Sequence, residues 1–457
     1  MKIIVAGLGK IGMAVLSSLA SEGHDVTGID IDLQTAKKLD QKDAIGVVGS
    51  AADYHTLHEA GVRGAALFIA TTGSDELNML SCLLAKQLGA VHTVARIRNP
   101  GYDEDSLRFM RDHLDIDMVI NPDSLAAQEL YNTLRFPSAM KLEMFSRRSF
   151  AMVELRLKQD SPLCGIPLHS LRSRFRANFL ICAVQRGEQV CIPSGDFVLE
   201  PEDKLELTAD LSELHKLLKE MDLLKKQVRS VMLLGGSKTA VYLARQLAAT
   251  GSFVRIVEKD KATCHELELQ LGGRHVDVLL GDGSQEAVLT EEGLVGQDAF
   301  VALTGNDEQN ILLSFYAASQ GVQKVIAKVN REDLGKIAER MGLDNRISLL
   351  QITANIMLRY ARALESSGSN TEIETLYRLM DGKVEALEFI VNDESAVTGK
   401  PLRALRLKNN ILFAGILRER KPILPTGEDC ILPGDHVIVL AANHRLQTLT
   451  DILEVGK

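Results

Sequence analysis

The chain has 457 residues, more than one hydrophobic core usually serves, and its 46% apolar and 25% charged residues exclude wholesale disorder and a membrane-embedded body. A net charge of −9 with dispersed Lys and Arg offers no stripe to neutralise a phosphate backbone, so no nucleic-acid partner is expected. Six cysteines without C-x-x-C spacing, no signal-peptide layout and no apolar run of roughly 18–20 residues point to a reducing cytoplasm and, at most, a peripheral membrane role.

Residues 1–32 read as an apolar strand, a glycine turn, a small-residue helix and a second strand ending in an acid. In Gly7-x-Gly9-x-x-Gly12 the first glycine permits the tight turn, the second lets a pyrophosphate approach the backbone, and the third lets helix pack on strand. The helix that starts there aims unpaired N–H groups at phosphate. Asp30, ending the second strand, is placed to accept ribose hydroxyls and to favour NAD over NADP. Further on, Thr71-Thr72-Gly73 ends another strand on the carboxyl side of the sheet, where ligands of doubly wound folds sit, and Ser74 reads as a helix N-cap. Asp75 and Glu76 suit the helix dipole there, and helix stabilisation alone accounts for them.

A β-rich stretch of about 80 residues follows, with a buried strand over Phe179 to Val184, Pro/Gly turns and the alternating Lys204-Leu-Glu-Leu-Thr. The charged, Leu-rich segment 211–228 bridges to a repeat of the whole layout. Gly235 falls on Gly7, Ala240 on Gly12, Glu258 on Asp30, Thr304-Gly305 on Thr72-Gly73 and Lys328 on Arg96. The small stretches repeat as well, Gly165-Ile-Pro-Leu matching Gly399-Lys-Pro-Leu. The expected fold class is therefore α/β: two tandem Rossmann-like doubly wound domains, each followed by a small α+β domain. The expected boundaries are 1–120, a connecting helix over 121–140, a small domain over 141–226, a second Rossmann-like domain over 227–345, a helix over 346–370, and a second small domain over 371–457.

The second glycine turn is weaker. In Gly235-Gly236-Ser237-Lys238-Thr239-Ala240, Ser237 and Ala240 put side chains at crowded points, and Ser237 either obstructs a pyrophosphate or lends it a hydroxyl, while Glu258 keeps the ribose acid. Gly235, Ser237, Lys238 and Glu258 thus form a second, uneven candidate site.

Other constellations carry no chemistry. His55 and His58 share a helix face without a third ligand, so no metal site is expected. Cys264-His265 lacks an orienting acid and oxyanion donors. Arg147-Arg148 and Arg172-x-Arg174-x-Arg176 read as solvated surface. No catalytic residue is expected, since the small domains are too short and His-poor to furnish a dehydrogenase's acid/base. A soluble NAD-dependent oxidoreductase is kept as the alternative reading.

The stretches IIVAGLGKIG, TTGSDELN and ARIRNPGY, with Asp30 and the G-x-P-L modules, resemble domains that regulate potassium conductance (RCK domains). Their tandem order resembles the TrkA family, peripheral regulatory subunits of bacterial Trk potassium-uptake systems. That resemblance implies NAD+ or NADH, with ATP or ADP also possible, bound at Gly7, Leu8, Gly9, Lys10, Ile11, Gly12, Asp30, Thr72, Gly73 and Arg96. It also implies a homo-oligomer, dimer or tetrameric ring, on the cytoplasmic face of the cell membrane beneath a membrane-embedded potassium transporter subunit.

Overall fold

A computed structural model describes residues 1–457 except 42–43, 137–138, 146–149, 224–226, 274, 367–370 and 455–457. The first domain is a parallel six-stranded sheet in the spatial order Ile45–Val48, Asp25–Asp30, Lys2–Ala6, Leu67–Ala70, His92–Arg96, Met118–Ile120. Strand order reverses beside the strand Lys2–Ala6, which pairs with Asp25–Asp30 on one side and Leu67–Ala70 on the other. Such a switch point opens a crevice at the carboxyl ends of the strands. Ile3, Ile4, Val5 and Ala6 have no exposed surface because helices cover both faces, as a parallel sheet requires. The second domain repeats this order over Val276–Leu280, Phe253–Glu258, Ser230–Leu234, Ala299–Ala302, Lys324–Lys328 and Arg346–Ile347.

Each small domain is an antiparallel five-stranded sheet. In the first the order is Gln189–Cys191, Leu180–Arg186, Lys204–Asp210, Phe150–Arg156, Lys141–Phe145. In the second it is Thr371–Leu379, Val384–Val391, His436–Ala442, Ile411–Arg418, Lys421–Ile423. The fold is therefore α/β, two doubly wound domains each followed by a small α+β domain.

Chain order and spatial grouping differ. The molecule divides into two units, Met1–Arg135 with Val228–Leu358 and Phe136–Gln227 with Arg359–Lys457, so like packs with like. In the first unit the connector helix Pro122–Arg135 buries Ala126, Ala127, Leu130 and Leu134 against Ala240, Val241, Ala244 and Leu247 of helix Lys238–Ala249. In the second, Phe145, Phe150 and Met152 share a core with Leu379, Val384 and Ala386, and Tyr377 donates its hydroxyl to Met144 O at 3.1 Å. The segment read as a bridge contains helix Leu211–Glu220, which buries Leu214, Leu217 and Leu218 in the first small domain.

Candidate functional site

The first glycine turn is built around three contacts. Gly7 sits at φ +85°, and a Cβ there would lie 2.6 Å from Thr72 Cα, so only glycine fits where the two strand ends meet. A Cβ on Gly12 would fall 1.9 Å from Gly7 O, which fixes how closely helix Lys10–Ser21 approaches the turn. Asp30 Oδ2 accepts the Leu8 N–H at 2.6 Å, and its Oδ1 accepts the Asp32 N–H at 2.9 Å. The carboxylate expected to meet a ribose thus also pins the glycine loop, using one acceptor position on each oxygen and keeping further lone pairs.

The helix begins after Gly9, whose N-cap position offers no side-chain hydrogen bond and whose missing Cβ would meet nothing within 4 Å. Its first N–H groups are therefore open to an anion, with the positive end of the helix dipole behind them. Lys10 is exposed, Ile11 half-buried and Leu8 buried beneath the loop.

Thr72 and Gly73 form the opposite lip. The Thr72 N–H and hydroxyl both donate to Asn78 Oδ1 at 2.7 Å, and the Asn78 amide donates to Arg96 O at 2.8 Å and Thr72 O at 3.3 Å. Arg96 lies buried below, its guanidinium donating to Thr72 O. Burial, and then the charge of Arg98, lowers its pKa, and its Nε has no hydrogen-bond acceptor. A buried guanidinium with an unmet donor directly beneath the lip favours an anionic ligand above it.

Ser74 caps helix Asp75–Gln87 by accepting the Leu77 N–H at 3.1 Å. Asp75 does more than steady that helix: its Oδ2 accepts the N–H groups of Arg98 and Asn99, each at 2.9 Å, and so holds the loop after strand His92–Arg96. Asn78 and Asp75 are the residues missed as architecture. Their signal lies in the duplicated TTGSDELN stretch, because Asn310 and Asp307 make the same bonds to Thr304, Lys328 O, Asn330 and Arg331.

The second copy keeps the frame and caps its helix from Ser237. Glu258 Oε2 accepts the Gly236 N–H at 2.6 Å and Oε1 the Asp260 N–H at 2.9 Å, as Asp30 does for its loop. Gly235, at φ +95°, is looser against the facing strand end, its hypothetical Cβ being 3.2 Å from Thr304 Cα. That slack accompanies the real Cβ of Ala240, which is fully buried. Ser237 Oγ accepts the Ala240 N–H at 3.4 Å, so the hydroxyl caps the helix from within the chain and takes up one of its first-turn donors. Lys238 is exposed, and Lys328 donates to Leu303 O at 3.0 Å, its pKa lowered by burial.

The remaining candidates are surface or packing. His55 and His58 are exposed beside the Tyr54 ring. Cys264 is buried with Sγ directed at Glu258 O, while His265 is exposed. Arg174 and Arg176 are exposed, and Arg147-Arg148 lie outside the described residues. No described helix is long and apolar enough to cross a membrane.

Comparison with known proteins matches the duplication to two domain families. The TrkA-N domain matches residues 3–122 and 231–349, and the TrkA-C domain matches 152–222 and 386–454. Among similar proteins are a Trk system potassium uptake protein TrkA homolog of Archaeoglobus fulgidus, 29% identical with 99% of this chain and 100% of that protein covered, and the TrkA of Vibrio alginolyticus, 27% identical with 97% and 96% covered. The solved GsuK RCK domain shares the fold at 18% identity and TM-score 0.62, over 97% of this chain and 92% of that one. A GsuK channel structure bound to NAD aligns at the same TM-score of 0.62 and 18% identity, covering 97% of this chain and 77% of that one.

Proposed function

Since the chain belongs to the TrkA family over both its halves, we propose that it is a nucleotide-sensing regulatory subunit that gates a membrane-embedded potassium-uptake transporter from the cytoplasmic face of the membrane. The relatives' names as Trk potassium uptake proteins support the transport role, and the NAD-bound GsuK neighbour supports the ligand class. The observation that carries the nucleotide reading is the asymmetry between the two glycine turns. Helix Lys10–Ser21 starts uncapped beneath a loop pinned by Asp30, whereas Ser237 caps its counterpart.

NAD+ or NADH, with ATP or ADP as competitors, then binds chiefly at Gly7 to Gly12, Asp30, Thr72-Gly73 and Arg96, and Gly235, Ser237, Lys238 and Glu258 form a weak or silent echo. The ligand gates only through a difference in affinity between two states of the assembly, typically about 1–3 kcal/mol of coupling. Self-association is supported by large apolar side chains exposed at matching places in the two Rossmann-like domains, Leu80 and Phe109 in the first, Leu312 and Met341 in the second.

Calorimetric titration of the full chain tests this reading. One nucleotide per chain is expected, with affinity lost in Asp30→Ala and kept in Glu258→Ala. Unchanged NADH and ATP affinity in Asp30→Ala overturns the site. Nucleotide-dependent rubidium uptake in membranes carrying the co-purified transporter tests the gating, and nicotinamide turnover on a small-metabolite panel without membranes would instead make the chain an oxidoreductase.

A further inference from the structure

The second small domain brings together three donors that are far apart in sequence. Glu374 lies on strand Thr371–Leu379, Glu388 on the neighbouring Val384–Val391, and His436 on His436–Ala442 beyond it. Ladder pairing skips Glu374 between Ile373 and Thr375, so this bulged residue turns its side chain toward Glu388, the partner of Thr375. His436 pairs with Ile390, two residues from Glu388 and so on the same face of the sheet. One oxygen of each carboxylate and a ring nitrogen all lie within 4.8 Å of one another.

Glu388 is 1% exposed, and the Glu374 Oε2 atom is shielded from solvent and receives no hydrogen bond. His436 Nδ1 stands 2.7 Å from Glu374 Oε2 and 3.2 Å from Glu388 Oε1, but one nitrogen has at most one proton to give, and the hydrogen-bonding geometry is met only toward Glu388. Two carboxylate oxygens and an imidazole nitrogen held this close form a donor set that one cation can bridge.

The duplicated domain carries different residues at these register positions. Glu154 occupies the register position of Glu388, with Lys141 opposite it where Thr375 stands in the second copy. Lys204 takes the place of His436. Lys141 Nζ lies 2.7 Å from Glu143 Oε1, and its charge reaches the buried Glu206. The first small domain thus carries Lys141 and Lys204 at the register positions where the second carries Thr375 and His436.

We propose that Glu374, Glu388 and His436 form a binding site for a divalent first-row transition-metal ion, Zn²⁺ being the best match to one imidazole and two carboxylates. Metal–ligand bonds of about 2.0–2.2 Å place donors roughly 3–4 Å apart, which the cluster reaches with small side-chain movements. The three ligands tie three adjacent strands together on the face that also carries Val384 and Ala386 of the core shared between the small domains. The ion would therefore stiffen that pairing.

Untagged full-length protein, stripped with chelator and titrated with zinc chloride, tests the site, with magnesium chloride as the control cation. The expected result is one Zn²⁺ per chain, with affinity reduced at least about tenfold in His436→Gln and in Glu388→Gln. Thr375→Lys, which restores the ammonium of the other copy, is expected to weaken zinc binding similarly while leaving the circular dichroism and NADH titration of the wild type. The proposal is overturned if the stripped wild type takes up no stoichiometric zinc, or if the three variants bind it as tightly as wild type. The contacts of His436 with the two carboxylates would then account for the cluster. Because NADH affinity is read in the same samples, failure here is distinct from failure of the nucleotide site.

Discussion

The Thr239 hydroxyl donates to the Asp123 carboxylate at 2.9 Å, joining the helix after the second glycine turn to the connector helix of the first half. Asp123 is 2% exposed and its other oxygen accepts Arg98 Nε at 2.7 Å, so two donors from different elements converge on one buried acid. Asp123→Ala leaves the fully buried Thr239 hydroxyl and the Arg98 guanidinium without their acceptor, and a loss of about 3 kcal/mol is expected from urea unfolding followed by fluorescence or circular dichroism. A change below about 1 kcal/mol would mean that the contact contributes little to the pairing of the two Rossmann-like domains.

Around that bond the first connector is closely filled. Tyr242 OH accepts from Asn121 Nδ2 at 2.8 Å, and Arg245 donates to Pro100 O at 3.1 Å. At the places of Thr239, Tyr242 and Arg245 the first helix carries Ile11, Ala14 and Ser17. There a cavity of about 500 Å³ opens, lined by Lys10, Met13, Ala14, Ser17, Asn306, Arg331 and Leu350 among others. Tyr242→Ala is expected to destabilise the protein by roughly 2–4 kcal/mol, whereas Ala14→Tyr, placed against free volume, should stay within about 1 kcal/mol of wild type. Equal losses from the two substitutions, measured by the same unfolding titration, would show that the two junctions are packed alike.

Much of this was legible in the residues. Glycine positions reported the turns because Gly7 and Gly12 have no room for a Cβ, and the duplication placed Glu258, Thr304 and Lys328 without any structure. Local periodicity could not show that like domains pair across the chain, since the contacts of Ala126 and Leu130 with Val241 and Ala244 join segments far apart in sequence. Nor could it show the side chains that hold the loops. Asp75 looked like a first-turn helix acid, yet its bonds go to Arg98 and Asn99. Glu374, Glu388 and His436 have no ligand-like spacing and meet only through sheet register.

Ser237 and Gly9 can be exchanged to test what a cap does to an anion site. Gly9→Ser finds nothing within 4 Å of its new Cβ and gains a hydroxyl able to accept an N–H of the first turn. A small gain in stability, up to about 1 kcal/mol, is expected together with at least a tenfold loss of NADH affinity. Ser237→Gly should lose a few tenths of a kcal/mol and uncover the second helix terminus, raising nucleotide stoichiometry above one per chain. Calorimetry with both variants decides the matter, and undiminished NADH binding in Gly9→Ser would mean that the helix terminus does not hold the phosphates.

Phe109 is 61% exposed on helix Glu104–His113, and Met341, at the corresponding place of the second half, is 63% exposed. Replacing both by Glu should dissociate the proposed homo-oligomer by at least one step in light scattering while leaving unfolding within about 0.5 kcal/mol per site, as is usual for exposed positions. An unchanged mass would place self-association on another surface.

Glu206 governs how stability should respond to pH. It is 1% exposed, its Oε2 has no hydrogen-bond partner, and burial, reinforced by the charge of Glu154, pushes its carboxyl well above the usual carboxylate range. A folded state that holds this proton more tightly than the unfolded chain binds more protons between the two pKa values, so stability falls as pH rises through that interval. The contribution is fully present below the ordinary carboxylate pKa and is progressively lost toward neutral and alkaline pH. This is opposite to the usual acid, whose lowered pKa makes stability fall on acidification. Glu206→Gln keeps the shape without the ionisation. It should flatten the decline between about pH 5 and 8 and leave the variant more stable than wild type at pH 8 by about 1 kcal/mol or more. Urea midpoints of both proteins across that range give the test. Parallel pH profiles would mean that Lys141, whose charge favours the ionised form, already holds Glu206 as a carboxylate.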